Sequence, residues 1–219
     1  MKFNIIDMDN WGRKTHFLHY YKDVKCTYNI TCNIDITPLY NRAKAQGAQL
    51  YPTLIWLVSQ GVNTFDFMRF AKDERGRLGY YQEVNPSFTS MPRNSENFSC
   101  LWTEYSPDFK TFYENCTGII ERYSDTKEMI PQVDTPVNCF DISSIPWIEF
   151  TGFNLNLHTD GSWLLPIFTT GKLIKEGEKV SLPFSIQVHH SVCDGFHCAK
   201  FLEHLQQHAN NPQDWLNLR

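Results

Sequence analysis

The stretch Leu182–His197 constrains the fold of this chain more than any other. Phe184, Ile186 and Val188 alternate with polar side chains, which is the period-two pattern of a half-buried strand, and the run ends in two adjacent histidines. From Cys198 onward, apolar residues recur at helical spacing. The sequence therefore predicts a strand, a polar turn and a helix, a rigid mount for the titratable side chains of the turn.

The turn contains His189, His190 and Asp194. An imidazole exchanges a proton near neutral pH, so a histidine held at a strand end is a candidate general base, although such a pair is often purely structural. Because adjacent strand residues face opposite sides, only one histidine can face a given cleft while the other packs or hydrogen-bonds. Asp194 has several interpretations: a helix N-cap, a carboxylate that orients the imidazole, or one that holds the turn.

The pattern His-His-x-x-x-Asp-Gly after an apolar strand resembles the signature of the coenzyme A-dependent acyltransferases. The longer string Gln187–His197 is similar to the chloramphenicol acetyltransferases, as are Tyr51-Pro52 and Phe65-x-Phe-Met-Arg69, so the resemblance covers nearly the full length. No composition shift, repeat or linker divides the chain, so we expect a single domain over residues 1–219. The resemblance implies an α/β fold, a two-layer sandwich with a large mixed β-sheet covered by helices. It also implies a homotrimer with active sites at subunit interfaces.

The same resemblance implies a reaction and its catalytic residues. His190 is expected to remove a proton from the primary hydroxyl of chloramphenicol as that oxygen attacks acetyl-CoA, the co-substrate, with no permanently bound cofactor. Ser143, in a Ser-x-x-Pro-Trp motif, is expected to donate a hydrogen bond to the oxyanion, and Thr169 to assist through a water. Arg13 is expected to pair with Asp194 through a bidentate guanidinium bond that holds the turn.

The binding sites are also assigned by position-wise resemblance. Trp147 is expected to flank the pantetheine arm of coenzyme A, and Lys172 to lie near its phosphates. The sequence departs from the family pattern at Ser90–Pro92, at Tyr81–Gln82 and at Leu173. These departures affect the expected edge of the acceptor pocket and the affinity for coenzyme A. An apolar, aromatic acceptor pocket is expected from nine residues: Tyr20, Cys26, Tyr28, Thr89, Phe98, Cys100, Phe153, Leu155 and Ile167.

Composition narrows the class of protein. The chain has 219 residues, 42% of them hydrophobic, enough to bury a sizeable core. The formal charge is −4, and acidic and basic residues are interspersed along the chain. This distribution does not predict binding to nucleic acid or to an anionic membrane. No apolar run approaches the roughly 18 residues of a membrane helix, so we expect a soluble, unexported protein.

The number and spacing of the cysteines indicate the redox state of the cellular compartment. Seven are scattered along the chain, an odd number without a Cys-x-x-Cys pair, which favours a reducing cytoplasm and disfavours a metal site. The nucleophile motif Gly-x-Ser-x-Gly is absent as well, which disfavours an acyl-enzyme hydrolase.

Three alternative functions stay open. A dihydrolipoyl acyltransferase core has the short histidine signature, but this chain lacks a lipoyl domain and its linkers. An O-acetyltransferase for another hydroxylated small molecule would need the same catalytic residues, so only acceptor screening separates the two. A drug-binding protein without turnover would have no need for His190 and Ser143 together.

The remaining elements follow from periodicity and stop signals. The Ile142–Leu155 stretch, by its plain sequence, predicts a serine turn that leads into an aromatic strand. The other predicted elements are a helix over Trp11–Tyr21, a strand over Cys26–Ile36, a helix over Thr37–Gln46 stopped by Gly47, a helix over Thr53–Phe65, a hairpin turn over Asp73–Arg77 and a helix over Pro107–Tyr123.

Overall fold

The computed structural model describes residues 2–157 and 162–218, which form a mixed α/β structure. Its strands are β1 (Phe3–Ile5), β2 (Thr27–Asp35), β3 (Phe70–Lys72), β4 (Leu78–Tyr81), β5 (Asn85–Ser90), β6 (Ser99–Trp102), β7 (Cys139–Ile145), β8 (Ile167–Gly171), β9 (Ile174–Glu176) and β10 (Lys179–His189). Its α-helices are α1 (Lys14–Leu18), α2 (Thr37–Gln46), α3 (Leu50–Thr64), α4 (Phe109–Arg122) and α5 (Gly195–Asn210). No helix in these two ranges is both long and apolar enough to cross a bilayer.

The large sheet sets the architecture. Its strand order is β2-β10-β8-β7-β5-β6, with β9 paired to β10, and a smaller sheet has the order β1-β4-β3. β7 runs parallel to both β5 and β8, and the other pairs are antiparallel, so the large sheet is mixed as predicted.

Helices cover one face of the large sheet. Phe168 of β8 packs against Phe184 of β10 and stacks on Phe201 of α5, with ring centroids 5.3 Å apart in the stacked pair. Phe88 and Ile142, which pair between β5 and β7, are also fully buried. Burial of so many large apolar side chains supplies the main stabilisation of the fold.

Most predicted elements are confirmed, some with shifted ends. α2 has the predicted bounds and ends at Gly47, whose φ of 69° suits a residue without a Cβ. The turn between β3 and β4 contains Gly76 at φ 73°. α3 begins at Leu50 rather than Thr53, because Pro52 is accepted in the first turn of a helix, where its missing N–H costs no hydrogen bond.

Two predictions were wrong. The single helix over Trp11–Tyr21 is instead the short α1 followed by a wide π-helical turn at His19–Asp23. Ser143 lies inside β7 rather than in a turn. The aromatic stretch that follows forms no strand, because its backbone donates to side chains: Leu155 N–H donates to Gln187 Oε1 at 2.8 Å rather than to a strand partner.

Candidate active site

His190 is held at the end of β10 by contacts on several sides. Its backbone N–H donates to the carbonyl of Cys26 at 2.9 Å, just before β2. The Tyr20 ring stacks on the imidazole at a centroid distance of 3.9 Å and an interplanar angle of 10°. Tyr28 meets the imidazole edge-on at 5.1 Å. Tyr20 and Tyr28 therefore fix the orientation of the imidazole, and Cys26 holds the backbone that carries it.

His189 points away from this cluster, as the strand geometry predicts. Its side chain is 1% exposed, and its Nδ1 accepts a hydrogen bond from the Ser191 N–H at 3.2 Å. The Ser191 hydroxyl lies 2.7 Å from the same nitrogen. His189 thus belongs to the hydrogen bonding of the turn, and His190 is the histidine that lies among the aromatic rings.

Arg13 ties the turn to the N-terminal part of the chain. Its Nη1 donates to Asp194 Oδ2 at 2.6 Å, which is the expected ion pair. Its Nη2 donates to the His190 carbonyl at 2.9 Å, and its Nε to the Ser191 carbonyl at 3.0 Å. The expectation of a bidentate bond to the carboxylate was wrong: the guanidinium spreads its donors over three groups of the turn.

Asp194 is also the N-cap residue of α5. Its backbone N–H donates to His197 Nδ1 at 3.2 Å, and its Oδ1 lies 3.0 Å from that nitrogen. Burial alone would raise the pKa of Asp194, but the hydrogen bond and charge of Arg13 outweigh it and lower the pKa. Asp194 therefore stays ionised at neutral pH, and both interpretations, the N-cap and the holder of the turn, apply to it.

Two buried thiols lie under the same turn. Cys193 Sγ and Cys198 Sγ are 3.7 Å apart, and the Tyr28 hydroxyl lies 3.3 Å from Cys198 Sγ. All seven cysteines are free thiols. Within residues 2–157 and 162–218, no group of three or more His, Cys, Asp or Glu side chains is arranged to hold a metal ion.

Ser143 and Thr169 lie side by side on the other face of the sheet. They are paired in the register of β7 and β8, and their hydroxyl oxygens are 3.1 Å apart. Thr169 is 2% exposed, whereas Ser143 is partly exposed. This face is opposite to the one that packs on the helices, because Ile142 and Phe168, the neighbouring residues, are buried in the core.

The expected acceptor-pocket residues fall into two separate groups. Tyr20, Cys26 and Tyr28 surround His190 at one end of the sheet. The second group lies on or beside the face of Ser143. Thr89 of β5 pairs with Cys100 of β6, and Ile167 of β8 pairs with Gln187 of β10. The Phe153 carbonyl accepts from the Ser185 hydroxyl at 2.8 Å, the Leu155 N–H donates to Gln187, and Phe98 is exposed just before β6.

His190 and Ser143 of one chain are too far apart to act on the same atom. Ser143 pairs with Thr169, and Thr169 pairs with Ser185 of β10, which places Ser143 two strand spacings of about 4.8 Å from β10. His190 is five residues beyond Ser185, about 16 Å further along. The imidazole of His190 contacts Tyr28, the register partner of the buried Val188 on the helix-covered face, whereas Ser143 is on the other face.

The two expected coenzyme A residues come from neighbouring segments. The Lys172 N–H donates to the Ile148 carbonyl at 2.9 Å, which brings Lys172 beside Trp147. Trp147 is 63% exposed, an unusual state for so large an apolar side chain.

One residue of this face was not singled out from the sequence. Asp141 precedes Ser143 by two positions on β7 and is in register with Ser87 and Ile167. Burial raises its pKa. The sequence does contain a signal, because Cys139, Asp141 and Ser143 alternate with buried Phe140 and Ile142.

Comparison of the sequence with known proteins gives consistent results. Residues 1–206 match the family model "Chloramphenicol acetyltransferase". A chloramphenicol acetyltransferase of Clostridium perfringens is 46% identical over 216 residues, which cover 99% of each chain. One from Clostridium butyricum is 44% identical, again with 99% of each chain covered, and one from Staphylococcus aureus is 42% identical and covers 99% of this chain and all of the relative.

Solved structures agree on the fold. A chloramphenicol acetyltransferase superimposes with a TM-score of 0.87 at 22% identity, covering 94% of this chain and 99% of the other. The cubic core of the pyruvate dehydrogenase multienzyme complex superimposes with a TM-score of 0.68 at 16% identity, covering 93% and 88%. The chain therefore has the fold that these two solved structures share.

Proposed function

Because the chain belongs to the chloramphenicol acetyltransferase family, and so transfers the acetyl group of acetyl-CoA to chloramphenicol, we propose that His190 and Ser143 perform this transfer from two different copies of the chain. The copies form a cytoplasmic homotrimer whose sites lie between neighbouring subunits. The observation that carries this proposal is the separation of His190 from Ser143 within one chain, because a base and an oxyanion donor must both reach one reacting centre.

The surfaces around both groups support the presence of a second copy. β2 is an edge strand of nine residues, and an open edge of this length invites pairing or coverage by another chain. Large apolar side chains on the segment after β7 are exposed: Trp147 (63%), Ile148 (56%), Leu155 (41%) and Leu157 (40%). A neighbouring subunit that buries this segment against the end of β2 would bring His190 towards Ser143.

The proposed chemistry uses no covalent enzyme intermediate. His190 Nδ1 is buried and has no hydrogen-bond partner among residues 2–157 and 162–218, and Nε2, which is not among these buried atoms, is the nitrogen proposed as the base. Nε2 removes the proton of the primary hydroxyl of chloramphenicol as that oxygen attacks the thioester carbonyl. The carbonyl oxygen becomes an oxyanion, to which Ser143 donates a hydrogen bond. Collapse of the intermediate expels the coenzyme A thiolate, which takes up the proton from His190.

The other predicted residues support these two. Arg13 and Asp194 are positioning residues, because the guanidinium holds the backbone carbonyl of His190 itself and the ion pair anchors the turn. Thr169 would hold a water beside the Ser143 hydroxyl, 3.1 Å away. Trp147 is proposed to cover the pantetheine arm of acetyl-CoA, and Lys172 to pair with its phosphates.

The proposal is tested by release of thiol from acetyl-CoA with and without chloramphenicol. Wild-type protein is expected to release thiol only when the drug is present, and His190→Ala to abolish the release. His189→Gln is the matched control for loss of a turn imidazole: it is expected to weaken the turn but to retain the chemistry. Drug-dependent release by His190→Ala at the wild-type rate would refute the assignment of the base.

A further inference from the structure

We propose that Asp141 is a specificity-determining residue that accepts a hydrogen bond from a second donor group on the acceptor alcohol, the secondary hydroxyl in chloramphenicol. This inference rests on the proposed function, because it places Asp141 in the pocket whose oxyanion donor is Ser143. The substrate class that follows is alcohols with a hydroxyl or amine donor close to the hydroxyl that is acetylated.

The position of Asp141 places it in the acceptor pocket. Asp141 and Ser143 are two residues apart on β7, so their side chains leave the same face about 6.6 Å apart. Ile167, an expected pocket residue, is the β8 partner of Asp141, and Ser87 is its β5 partner. A carboxylate and an oxyanion donor with this spacing can contact neighbouring oxygens of one small molecule.

Among the residues that the structure describes, the hydrogen-bonding capacity of this carboxyl is largely unused. A carboxylate has about four acceptor positions. Ser87 supplies one hydrogen bond, which opposes the rise in pKa that burial causes. Across residues 2–157 and 162–218, no Lys, Arg or His forms an ion pair with Asp141. A half-buried carboxyl without a cation is costly in a purely structural role, which favours a ligand donor as its partner.

Within the described residues, 2–157 and 162–218, the titratable neighbours whose pKa the Asp141 charge shifts are two thiols. Cys139 on its own strand and Cys100 on β6 are the titratable groups that its charge reaches. Burial first, and the Asp141 charge second, raise the pKa of both thiols, that of Cys139 to about 12, so neither ionises at neutral pH. Neither thiol therefore adds a charge beside Asp141, and the carboxyl is the group that a donor on the acceptor molecule would meet.

The test compares two acceptors across a set of variants. Initial rates are measured with chloramphenicol and with its 1-deoxy analogue, which keeps the primary hydroxyl and lacks the secondary one. Wild-type kcat/KM is expected to fall by about 10- to 100-fold on loss of the secondary hydroxyl, the typical effect of leaving a charged partner without its hydrogen bond. Asp141→Leu is expected to remove most of that preference by losing activity towards chloramphenicol alone.

Two further variants keep the proposal falsifiable if the leucine variant folds poorly. Asp141→Asn has the same shape and one remaining acceptor oxygen, and it is expected to retain an intermediate preference. Ser87→Ala removes the internal partner of Asp141 and is expected to retain the full preference. Size-exclusion chromatography of each variant checks the assembly.

Three outcomes would overturn the proposal. The first is an equal loss of kcat/KM towards both acceptors in Asp141→Leu and Asp141→Asn, which indicates a structural role. Dissociation of the assembly in these variants would indicate the same. The second is no preference between the acceptors in the wild type. The third is failure of the wild type to acetylate either acceptor, which alone would refute the proposed function as well.

Discussion

Arg13 and Asp194 form a 2.6 Å ion pair that joins the start of α1 to the start of α5, across 181 positions of the sequence. The same guanidinium binds the carbonyls of His190 and Ser191, so one side chain fixes the backbone on which the candidate base is mounted. Loss of this pair is therefore expected to reduce stability and activity together.

Asp194→Asn tests this coupling. At neutral pH we expect lower kcat and a lower unfolding temperature, with a stability loss of about 1 to 2 kcal/mol, because a hydrogen bond to a charged partner weakens at a partly exposed site. The pKa of Asp194 is lower in the folded protein than in the unfolded chain, where it is near 3.8. The ionised carboxylate therefore stabilises the fold above the unfolded pKa, and this stabilisation is lost as pH falls through the folded pKa. The difference between variant and wild type should thus shrink in acid.

Asp9→Asn is the matched control for this prediction. It breaks the Lys14–Asp9 ion pair, whose Asp9 side chain is 90% exposed, and surface pairs of this kind contribute little. We expect a wild-type melting temperature and wild-type activity. An unchanged melting temperature in Asp194→Asn would contradict the role given to the ion pair.

Tyr20 is expected to matter through its ring. Its stacking at 3.9 Å restricts the imidazole of His190, so Tyr20→Ala should lower kcat on the order of 10-fold through loss of orientation. Tyr20→Phe retains the stacked ring and should have a kcat close to that of the wild type. Steady-state kinetics with both variants checks this, and equal kcat values for Tyr20→Ala and the wild type would exclude the orienting role.

Ser143→Ala should reduce kcat by about 10²- to 10³-fold with little change in the KM for chloramphenicol, because an oxyanion donor acts mainly in the transition state. Ser144→Ala is the control, since Ser144 is the next residue on β7 and points to the other side of the strand. If the two variants have the same kinetics, Ser143 is not the donor.

His204 gives a pH dependence of stability away from the candidate site. On α5, its Nε2 lies 2.6 Å from Gln60 Oε1 of α3 and its ring 4.2 Å from that of His208. Burial first, and the charge of His208 second, lower the pKa of His204 from 6.5 to about 4. The unfolded state therefore binds the proton more readily, and stability should fall as pH drops from about 6.5 to about 4. Thermal unfolding of His204→Gln should show a weaker pH dependence in this window; an identical pH profile would contradict the shift.

Local signals in the sequence were sufficient for much of the fold. Thr37-Pro38 and Gly47 determine the two ends of α2 because proline suits a first turn and glycine a left-handed stop. The alternation of apolar and polar residues before His189 is sufficient to predict β10. The pairing of Arg13 with Asp194 followed from the family resemblance, but the additional bonds of Arg13 to two carbonyls depend on backbone positions that no motif encodes.

The misplaced elements depend on tertiary contacts. Ser143 lies in a strand because β5 and β8 pair with β7 on both sides, which overrides the turn preference of two adjacent serines. The Ile148–Leu155 stretch has strand-like residues but bonds to side chains of β2 and β10. The distance from His190 to Ser143 follows from strand order and register, which sequence patterns do not give.

The division of the site between two subunits is tested most directly by mixed assemblies. Each of His190→Ala and Ser143→Ala should be nearly inactive alone. When the two are co-expressed with different tags and the mixed trimers are purified, a site with an intact His190 from one subunit and an intact Ser143 from its neighbour can form. Every mixed trimer, whether 2:1 or 1:2, contains one such site among its three, so about a third of the sites should be intact. Recovery of about a third of the wild-type activity is the result expected for a shared site. Mixed trimers no more active than the parent variants would contradict it.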